Sequence, residues 1–317
     1  MGISRGNRRL NIEKISIVIP VYNEEKNLEK LFERLVPVMD DLKREYEIVL
    51  VDDGSTDRSL EILLKHADKR IKIVELTKNY GQHAAVFAGF ENSEGGVLIT
   101  MDADLQNPPE EIPRLIEVME EGHYEVVGTV RKARKDSIFR KGPSKIVNAV
   151  TRRITGVHLT DWGCMLRAYR RHVVEYMMRS QEHSTFIPAL ATSFAKDVTE
   201  IEVSHEERYA GETKYSLTKL ISLQFDLVTS FSEFPLKFML YMGLCLAFLG
   251  ITFGIVLAVA RLSFGAAWAA EGVFTLFAVL FFFIGAQFLA FGVMGEYVGR
   301  IYREVKKRPP YTIRRVY

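Results

Sequence analysis

Two stretches near the end of the chain, residues 238–260 and 272–295, contain no charged side chain. As helices, each would be roughly 35 Å long, enough to cross a hydrocarbon core of about 30 Å. A buried core helix also tolerates such a run, but two in tandem fit membrane spans better. Residues 1–235 are charged and periodic, and a chain of 317 residues with 48% hydrophobic content has ample material for a core. The expected organisation is a soluble head (1–215), an interfacial segment (216–235), a first span (236–260), a short loop (261–272), a second span (273–295) and a basic tail (296–317).

Charge sets the orientation. Residues 131–153 carry nine Lys or Arg and one Asp, and residues 296–317 carry seven Lys or Arg and two Glu. The loop between the spans holds only Arg261 and Glu271. The positive-inside bias therefore places head and tail in the cytoplasm and the loop outside, in a multi-pass membrane protein. Beside two spans, the basic clusters suit anionic lipid rather than nucleic acid. Cys164 and Cys245 are too few for a disulfide framework. Residues 1–10 lack the apolar core of a secretory signal, which leaves targeting to the spans.

Within the head, Ile15-Ser16-Ile17-Val18-Ile19-Pro20-Val21 is a β-branched run closed by a proline, as in a first strand. Apolar residues at 28, 31, 32, 35, 38, 39 and 42 then follow helical spacing. Residues 46–51 predict a second strand, and a helix capped by Asp57 runs to about His66. Strands are expected at 71–76, 96–101, 124–130 and 198–203, with a short helix over 82–91. Strand alternating with helix in this way predicts a mostly parallel, doubly wound α/β sheet.

Strands one, two and four are followed by Tyr22-Asn23-Glu24, Asp52-Asp53 and Asp102-Ala103-Asp104. In a parallel sheet these ends share an edge, so three distant clusters converge on one crevice. If the chain stays extended through Thr100-Met101-Asp102-Ala103-Asp104-Leu105-Gln106, then Asp102, Asp104 and Gln106 face one site. Such oxygen ligands suit Mg²⁺ or Mn²⁺, which keep positions open for phosphate oxygens. A bare Asp-x-Asp before Asn107-Pro108-Pro109 also fits a solvated turn. The absence of Gly-x-Gly-x-x-Gly and of a Gly-rich Lys-Ser/Thr loop disfavours a dinucleotide fold and a P-loop ATPase. Aspartates in such a crevice can accept hydrogen bonds from base N–H and ribose hydroxyls.

The strings Val18-Ile19-Pro20-Val21-Tyr22-Asn23-Glu24, Val51-Asp52-Asp53-Gly54-Ser55-Thr56-Asp57 and Asp102-Ala103-Asp104-Leu105-Gln106 resemble the family 2 glycosyltransferases with the GT-A fold. With residues 128–131 and 208–214, they are similar to the branch that acts on polyprenyl phosphates. Residues 78–83, 102–115, 163–171 and 184–188 resemble the bacterial group that moves 4-deoxy-4-formamido-L-arabinose onto undecaprenyl phosphate. Residues 268–274 and 295–302 carry that likeness through both spans.

The resemblance implies a GT-A domain followed by two transmembrane helices in a bacterial inner membrane, with an active site facing the cytoplasm. Pro20, Tyr22, Glu24, Asp52, Asp53, Asp102 and Ala103 would hold the nucleotide of a UDP-sugar. Asp102, Asp104 and Gln106 would place Mg²⁺ or Mn²⁺ on its diphosphate, and Asp104 and Arg131 would be catalytic. Arg131, Arg140, Arg208 and Lys214 would contact donor or acceptor phosphates. A homo-oligomer, a tetramer, and a role in lipid A modification and polymyxin resistance are implied in the same way. No Gln-x-x-Arg-Trp motif occurs, which implies transfer of one sugar to one lipid.

A lipid monophosphate, with a second pKa of roughly 6, is already ionised at neutral pH and needs no general base. It needs positioning among cations, a task that suits Arg131. His83 and His123 are expected to be structural. Transfer of glucose or mannose to the same lipid is the alternative within the enzyme class. Outside it stand a membrane-anchored nucleotide-sugar binder without catalysis and a structural scaffold.

Overall fold

The computed structural model describes residues 14–131, 164–180, 187–204, 206, 234–264, 273–306 and 309–317. It divides into one unit ending at Lys219 and rejoined by Pro309–Tyr317, and a second unit, Leu220–Arg308. The first begins β1 (Lys14–Val21), α1 (Leu28–Asp41), β2 (Glu45–Asp52), α2 (Ser59–His66), β3 (Ile71–Leu76), α3 (Gln82–Glu91) and β4 (Val97–Thr100). A 3₁₀ turn (Pro109–Glu111) leads into α4 (Ile112–Glu121), β5 (Val126–Arg131), β6 (Arg167–Arg170), α5 (Arg171–Arg179), α6 (Ile187–Phe194) and β7 (Val198–Val203).

Strand residues alternate between two cores. Ile15, Ile17 and Ile19 of β1, with Ile48 and Leu50 of β2, join Leu28, Leu31, Leu35 and Met39 of α1 and Ile112, Leu115 and Met119 of α4. Val18, Val49 and Val51 face the other way, onto Ala85, Val86 and Phe90 of α3 and Val173 and Met177 of α5. With both faces covered, the strands are apolar almost throughout, as a parallel sheet requires. Each fully buried Ile or Leu stabilises this arrangement by about 1.5–3 kcal/mol.

The sheet order is β7-β5-β6-β4-β1-β2-β3-β8, the last strand being Ile313–Val316. Pairs β1–β2, β1–β4, β2–β3 and β5–β7 are parallel, as expected from the alternation. Two strands go beyond it. Residues 167–170 form β6, antiparallel to both β4 and β5. The end of the basic tail forms β8, antiparallel to β3. Arg167 to Arg170 and Ile313 to Val316 are four residues each with two arginines apiece, too short and too polar to show strand periodicity.

In the second unit, α7 (Phe234–Phe264) has 31 residues and α8 (Val273–Val305) has 33. Large apolar side chains such as Phe248, Leu262, Phe288 and Phe291 are exposed along both. Among the described residues, Phe282–Gly299 of α8 is long and apolar enough to cross a membrane, and the apolar window of α7, Phe238–Phe253, is shorter. Both helices outrun the expected spans: α7 starts at Phe234, and α8 continues past Glu296, Arg300 and Arg303. Residues 216–233 and 265–272 lie outside the described residues.

Candidate active site

β1 to β4 run in one direction, and because β6 is antiparallel to both β4 and β5, β5 runs with them. The carboxyl ends of all five therefore lie on one edge, and with them residues 22–24, 52–54, 77–81, 101–106 and the backbone of Arg131. The convergence expected of three clusters is present, with a fourth from the end of β3. Pro20 is tolerated in this central strand for a local reason. The Val18 carbonyl accepts from the Met101 N–H at 3.2 Å and the Val21 carbonyl from the Asp53 N–H at 2.8 Å. By that alternation the Pro20 nitrogen faces the β4 side, beyond the last pairing of Val18 with Thr100, where no ladder donor is needed.

The turns after β1 and β2 are sewn together. Asn23 takes a positive φ of 56°. Its N–H donates to Ser55 Oγ (3.1 Å), and its Oδ1 accepts from the Thr56 N–H (2.8 Å). The Glu24 N–H donates to Ser59 Oγ at 2.9 Å. The N-cap position of α2 is Arg58, not the expected Asp57, which lies one residue earlier and accepts from the Ser59 N–H at 2.9 Å and the Glu25 N–H at 3.2 Å. Tyr22 stands beside this seam with 40% of its surface exposed.

Asp52 and Asp53 are each only 2% exposed. The two oxygens of Asp53 accept the N–H groups of Tyr80 (2.7 Å) and Gly81 (2.9 Å), so this carboxylate shapes the turn after β3. Gly54 has φ +69°, and a Cβ there would lie 2.5 Å from the Lys78 carbonyl carbon, so the same turn can close only over glycine. Asp52 pairs in register with Glu75 and accepts the Ser55 N–H at 3.3 Å. Burial pushes both carboxyls above the ordinary aspartate value despite these hydrogen bonds, with the charge of Glu75 adding to the effect at Asp52.

The Asp-x-Asp segment departs from the expected geometry. β4 stops at Thr100, residues 103–107 form a turn, and Leu105 takes φ +61°. Alternation along an extended chain therefore does not align Asp102, Asp104 and Gln106. The turn itself brings them into one short segment, in which Asp104 Oδ1 accepts the Gln106 N–H at 3.1 Å. Asp104 is 7% exposed and Ala103 is buried, whereas Asp102 and Gln106 are partly exposed. Gln82 Nε2 donates to Asp102 Oδ1 at 2.6 Å, tying the turn to the start of α3.

A buried layer supports the turn from beneath. Thr100 Oγ1 donates to the Met165 carbonyl (2.6 Å) and Thr129 Oγ1 to the Leu166 carbonyl (2.8 Å). Cys164 Sγ lies 2.8 Å from Thr129 Oγ1 and donates to Asn107 Oδ1 at 3.3 Å. Thr129 and Cys164 carry one donor proton each, so with the Thr129 proton on Leu166 the single thiol proton serves either Asn107 Oδ1 or Thr129 Oγ1 and not both at once. Outside, the Glu206 N–H donates to the Gln106 carbonyl at 2.9 Å, and Arg34 of α1 grips the carboxylates of Glu110 and Glu206.

Among the described residues no group of three or more His, Cys, Asp and Glu is placed to hold a metal ion. Two carboxylates and an amide on one turn fit Mg²⁺ or Mn²⁺ in another way, because those ions commonly take one or two carboxylates and complete their sphere with water and substrate phosphate. The described part of Arg131 is its backbone, at the end of β5 opposite Val203. Arg140, Arg208 and Lys214 lie outside the described residues. Burial lowers His83 to about 4, which keeps its ring neutral. His123 precedes β5 and so lies at the opposite edge of the sheet. The sequence assigns no role to Gln82, the Tyr80 and Gly81 amides, Ser55 or Ser59, although Ser55 and residues 78–83 lie in strings that carry the resemblance and any turn following strand three had to open onto the same edge.

The family model described as "Glycosyl transferase family 2" matches residues 16–177. An undecaprenyl-phosphate 4-deoxy-4-formamido-L-arabinose transferase of Photorhabdus laumondii is 54% identical over 308 residues, covering 96% of this chain and 94% of its own length. Proteins of the same name from Proteus mirabilis and Klebsiella pneumoniae are 53% identical with the same coverage. Among solved structures, glucosyl-3-phosphoglycerate synthase from Mycobacterium tuberculosis, in complex with Mn²⁺ and uridine-diphosphate-glucose, aligns over 69% of this chain and 79% of its own. Its TM-score is 0.51 and its identity 15%, a likeness of the GT-A fold alone. With a match over half of its residues and relatives at this identity along nearly its whole length, the chain belongs to glycosyl transferase family 2.

Proposed function

We propose that the protein transfers 4-deoxy-4-formamido-L-arabinose from a UDP donor to undecaprenyl phosphate, with inversion at the anomeric carbon, on the cytoplasmic side of a bacterial inner membrane. The observation that carries this is the gathering of the Tyr22, Asp52, Asp53, Asp102 and Asp104 turns on one sheet edge, in a chain 54% identical to transferases of that name. The apolar helices α7 and α8 support two spans, and the sparse charge between them supports a periplasmic loop.

In this reading Tyr22, with Pro20 and Glu24, borders the nucleotide, and Asp52 and Asp53 anchor it. Asp53 still has a lone pair free on each oxygen after accepting Tyr80 and Gly81, enough to take a base N–H. Asp102, Asp104 and Gln106 would hold Mg²⁺ or Mn²⁺. That ion, when bound, would neutralise charge developing on the leaving diphosphate. The neutral His83 and the distant His123 offer no base, which suits a nucleophile already ionised as a lipid phosphate. Arg131, at the end of β5, would orient that phosphate, with Arg140, Arg208 and Lys214 as further cations.

The test is transfer of radiolabelled sugar from a panel of UDP-sugars to short polyprenyl phosphates by the purified protein, with and without chelator. Transfer of the formamido-arabinose in preference to glucose or mannose, abolished by chelator and restored by Mn²⁺ or Mg²⁺, is the expected result. Preferential transfer of glucose would move the protein to another acceptor-sharing activity. Donor binding with no transfer to any lipid would make it a binder.

A further inference from the structure

The last seven residues return to the sheet beside the proposed nucleotide site. β8 pairs Val316 with Val74, Arg315 with Glu75 and Ile313 with Leu76. Ile73 and Tyr317 exchange two backbone hydrogen bonds (2.9 and 3.2 Å), and the Thr77 N–H donates to the Thr312 carbonyl at 3.0 Å. Thr77 is where β3 turns toward Tyr80 and Gly81, whose amides hold Asp53. The Thr77 and Tyr80 hydroxyls lie 2.9 Å apart. Glu75 is a buried carboxylate in register with Asp52, and its two oxygens accept from Arg314 Nη1 (2.8 Å) and the Tyr317 hydroxyl (3.1 Å). Tyr311 adds a hydrogen bond to Glu91 at the end of α3, the helix that begins with Gln82.

Two routes thus run from the tail to the nucleotide aspartates, one through the backbone at Thr312 and Thr77 to Asp53, the other through Arg314 and Glu75 to Asp52. An edge strand needed only to cover β3 would require the ladder and no carboxylate clasp. The clasp places a positive charge against the carboxylate in register with Asp52, in a crevice already crowded with negative charge. We propose that the C-terminal strand is a working part of the donor site, with Thr312, Arg314 and Tyr317 positioning β3 and its 77–81 turn so that Asp52 and Asp53 meet the nucleotide. This rests on the proposal that the crevice takes a UDP-sugar.

The experiment compares the full chain, a chain ending at Pro310, and full-length Arg314→Ala/Tyr317→Phe and Arg314→Lys. UDP affinity is measured by calorimetry in the presence of Mn²⁺, alongside thermal unfolding and the KM for a short polyprenyl phosphate. The truncated chain should stay folded, bind UDP about tenfold more weakly, the scale of one lost hydrogen bond, and keep its acceptor KM. The double variant should bind UDP about threefold more weakly, with Arg314→Lys closer to the full chain. If the truncated chain does not fold, the two full-length variants decide. Wild-type UDP affinity in a folded truncated chain, or in the double variant, overturns the proposal. Failure of the full chain to bind UDP overturns the functional reading itself and takes this proposal with it.

Discussion

Arg34 and Glu206, 172 residues apart, meet through two parallel hydrogen bonds of 2.9 and 3.1 Å, while the same guanidinium holds Glu110 at 3.0 and 2.8 Å. One arginine thus clamps both flanks of the Asp102–Gln106 turn, because Glu206 also donates its N–H to Gln106. Both carboxylates are half exposed, so the stability at stake is small, about 0.2–1 kcal/mol per pair. The cost should fall on activity. Arg34→Ala and Glu206→Ala should each lower kcat roughly tenfold with little change in melting temperature, the scale of a misplaced active-site group. The double variant should be no worse than either single one, as coupled residues behave. Multiplying losses would refute the clamp.

Replacing Asp104 or Asp102 with Asn should remove transfer while leaving the protein folded and in the membrane, since an amide is a poorer ligand for a hard cation. Mn²⁺ titration followed by electron paramagnetic resonance in the presence of UDP should show weaker binding in both. Near-normal, chelator-sensitive turnover in Asp104→Asn would end the metal assignment.

Asp52 trades stability for its position. Its carboxyl is raised above 3.8 mainly by burial, so across the window from 3.8 up to its folded value the folded chain binds more protons than the unfolded one. Stability then falls as pH rises through that window, and the penalty stays in full above it. Asp52→Asn should therefore melt higher than the wild type at pH 7.5, with the gap closing as pH drops below 3.8, and should bind UDP more weakly. A lower melting point at neutral pH would show that Asp52 is stabilised by contacts stronger than its burial penalty.

His83 behaves in the opposite sense. Its folded value of about 4 lies below 6.5, so the unfolded chain takes up more protons between those values and stability is lost as pH falls through them. His83→Gln should flatten that part of the stability curve in denaturant titrations. It should also leave the pH dependence of transfer unaltered, whereas loss of the acidic limb of the rate profile would make His83 a proton acceptor.

Arg131→Ala should slow transfer by roughly 30- to 1,000-fold, the value of a charge-assisted contact worth about 2–4 kcal/mol in the transition state. Arg131→Lys should also be costly, because a point charge cannot replace the planar fork. Arg134→Ala should cost little in detergent with a short, soluble acceptor. Equal rates in the two alanine variants would assign Arg131 to the general basic surface.

The strands of the first half were legible because burial on both faces makes them continuous apolar runs, and Ile15 to Val21 and Tyr46 to Val51 could be nothing else. Their common edge followed from direction alone. Three features were hidden for separable reasons. β6 and β8 are short and arginine-rich, and their pairing is set by distant partners. The Asp102–Gln106 turn depends on a left-handed Leu105, a conformation that leucine does not advertise. Gln82 and the Tyr80 and Gly81 amides act through a turn without carboxylates, so composition gave them no weight.

The pairing of β8 with β3 also fixes an order of events. Ile313–Val316 leaves the ribosome after α7 and α8, so β3 must stand as an open edge while both long apolar helices are made. An unpaired edge beside freshly exposed apolar helices is the situation in which nascent chains stick to one another. Sheet completion is thereby postponed until α7 and α8 have been made, and the first unit cannot close its β3–β8 ladder until the helices preceding β8 have emerged.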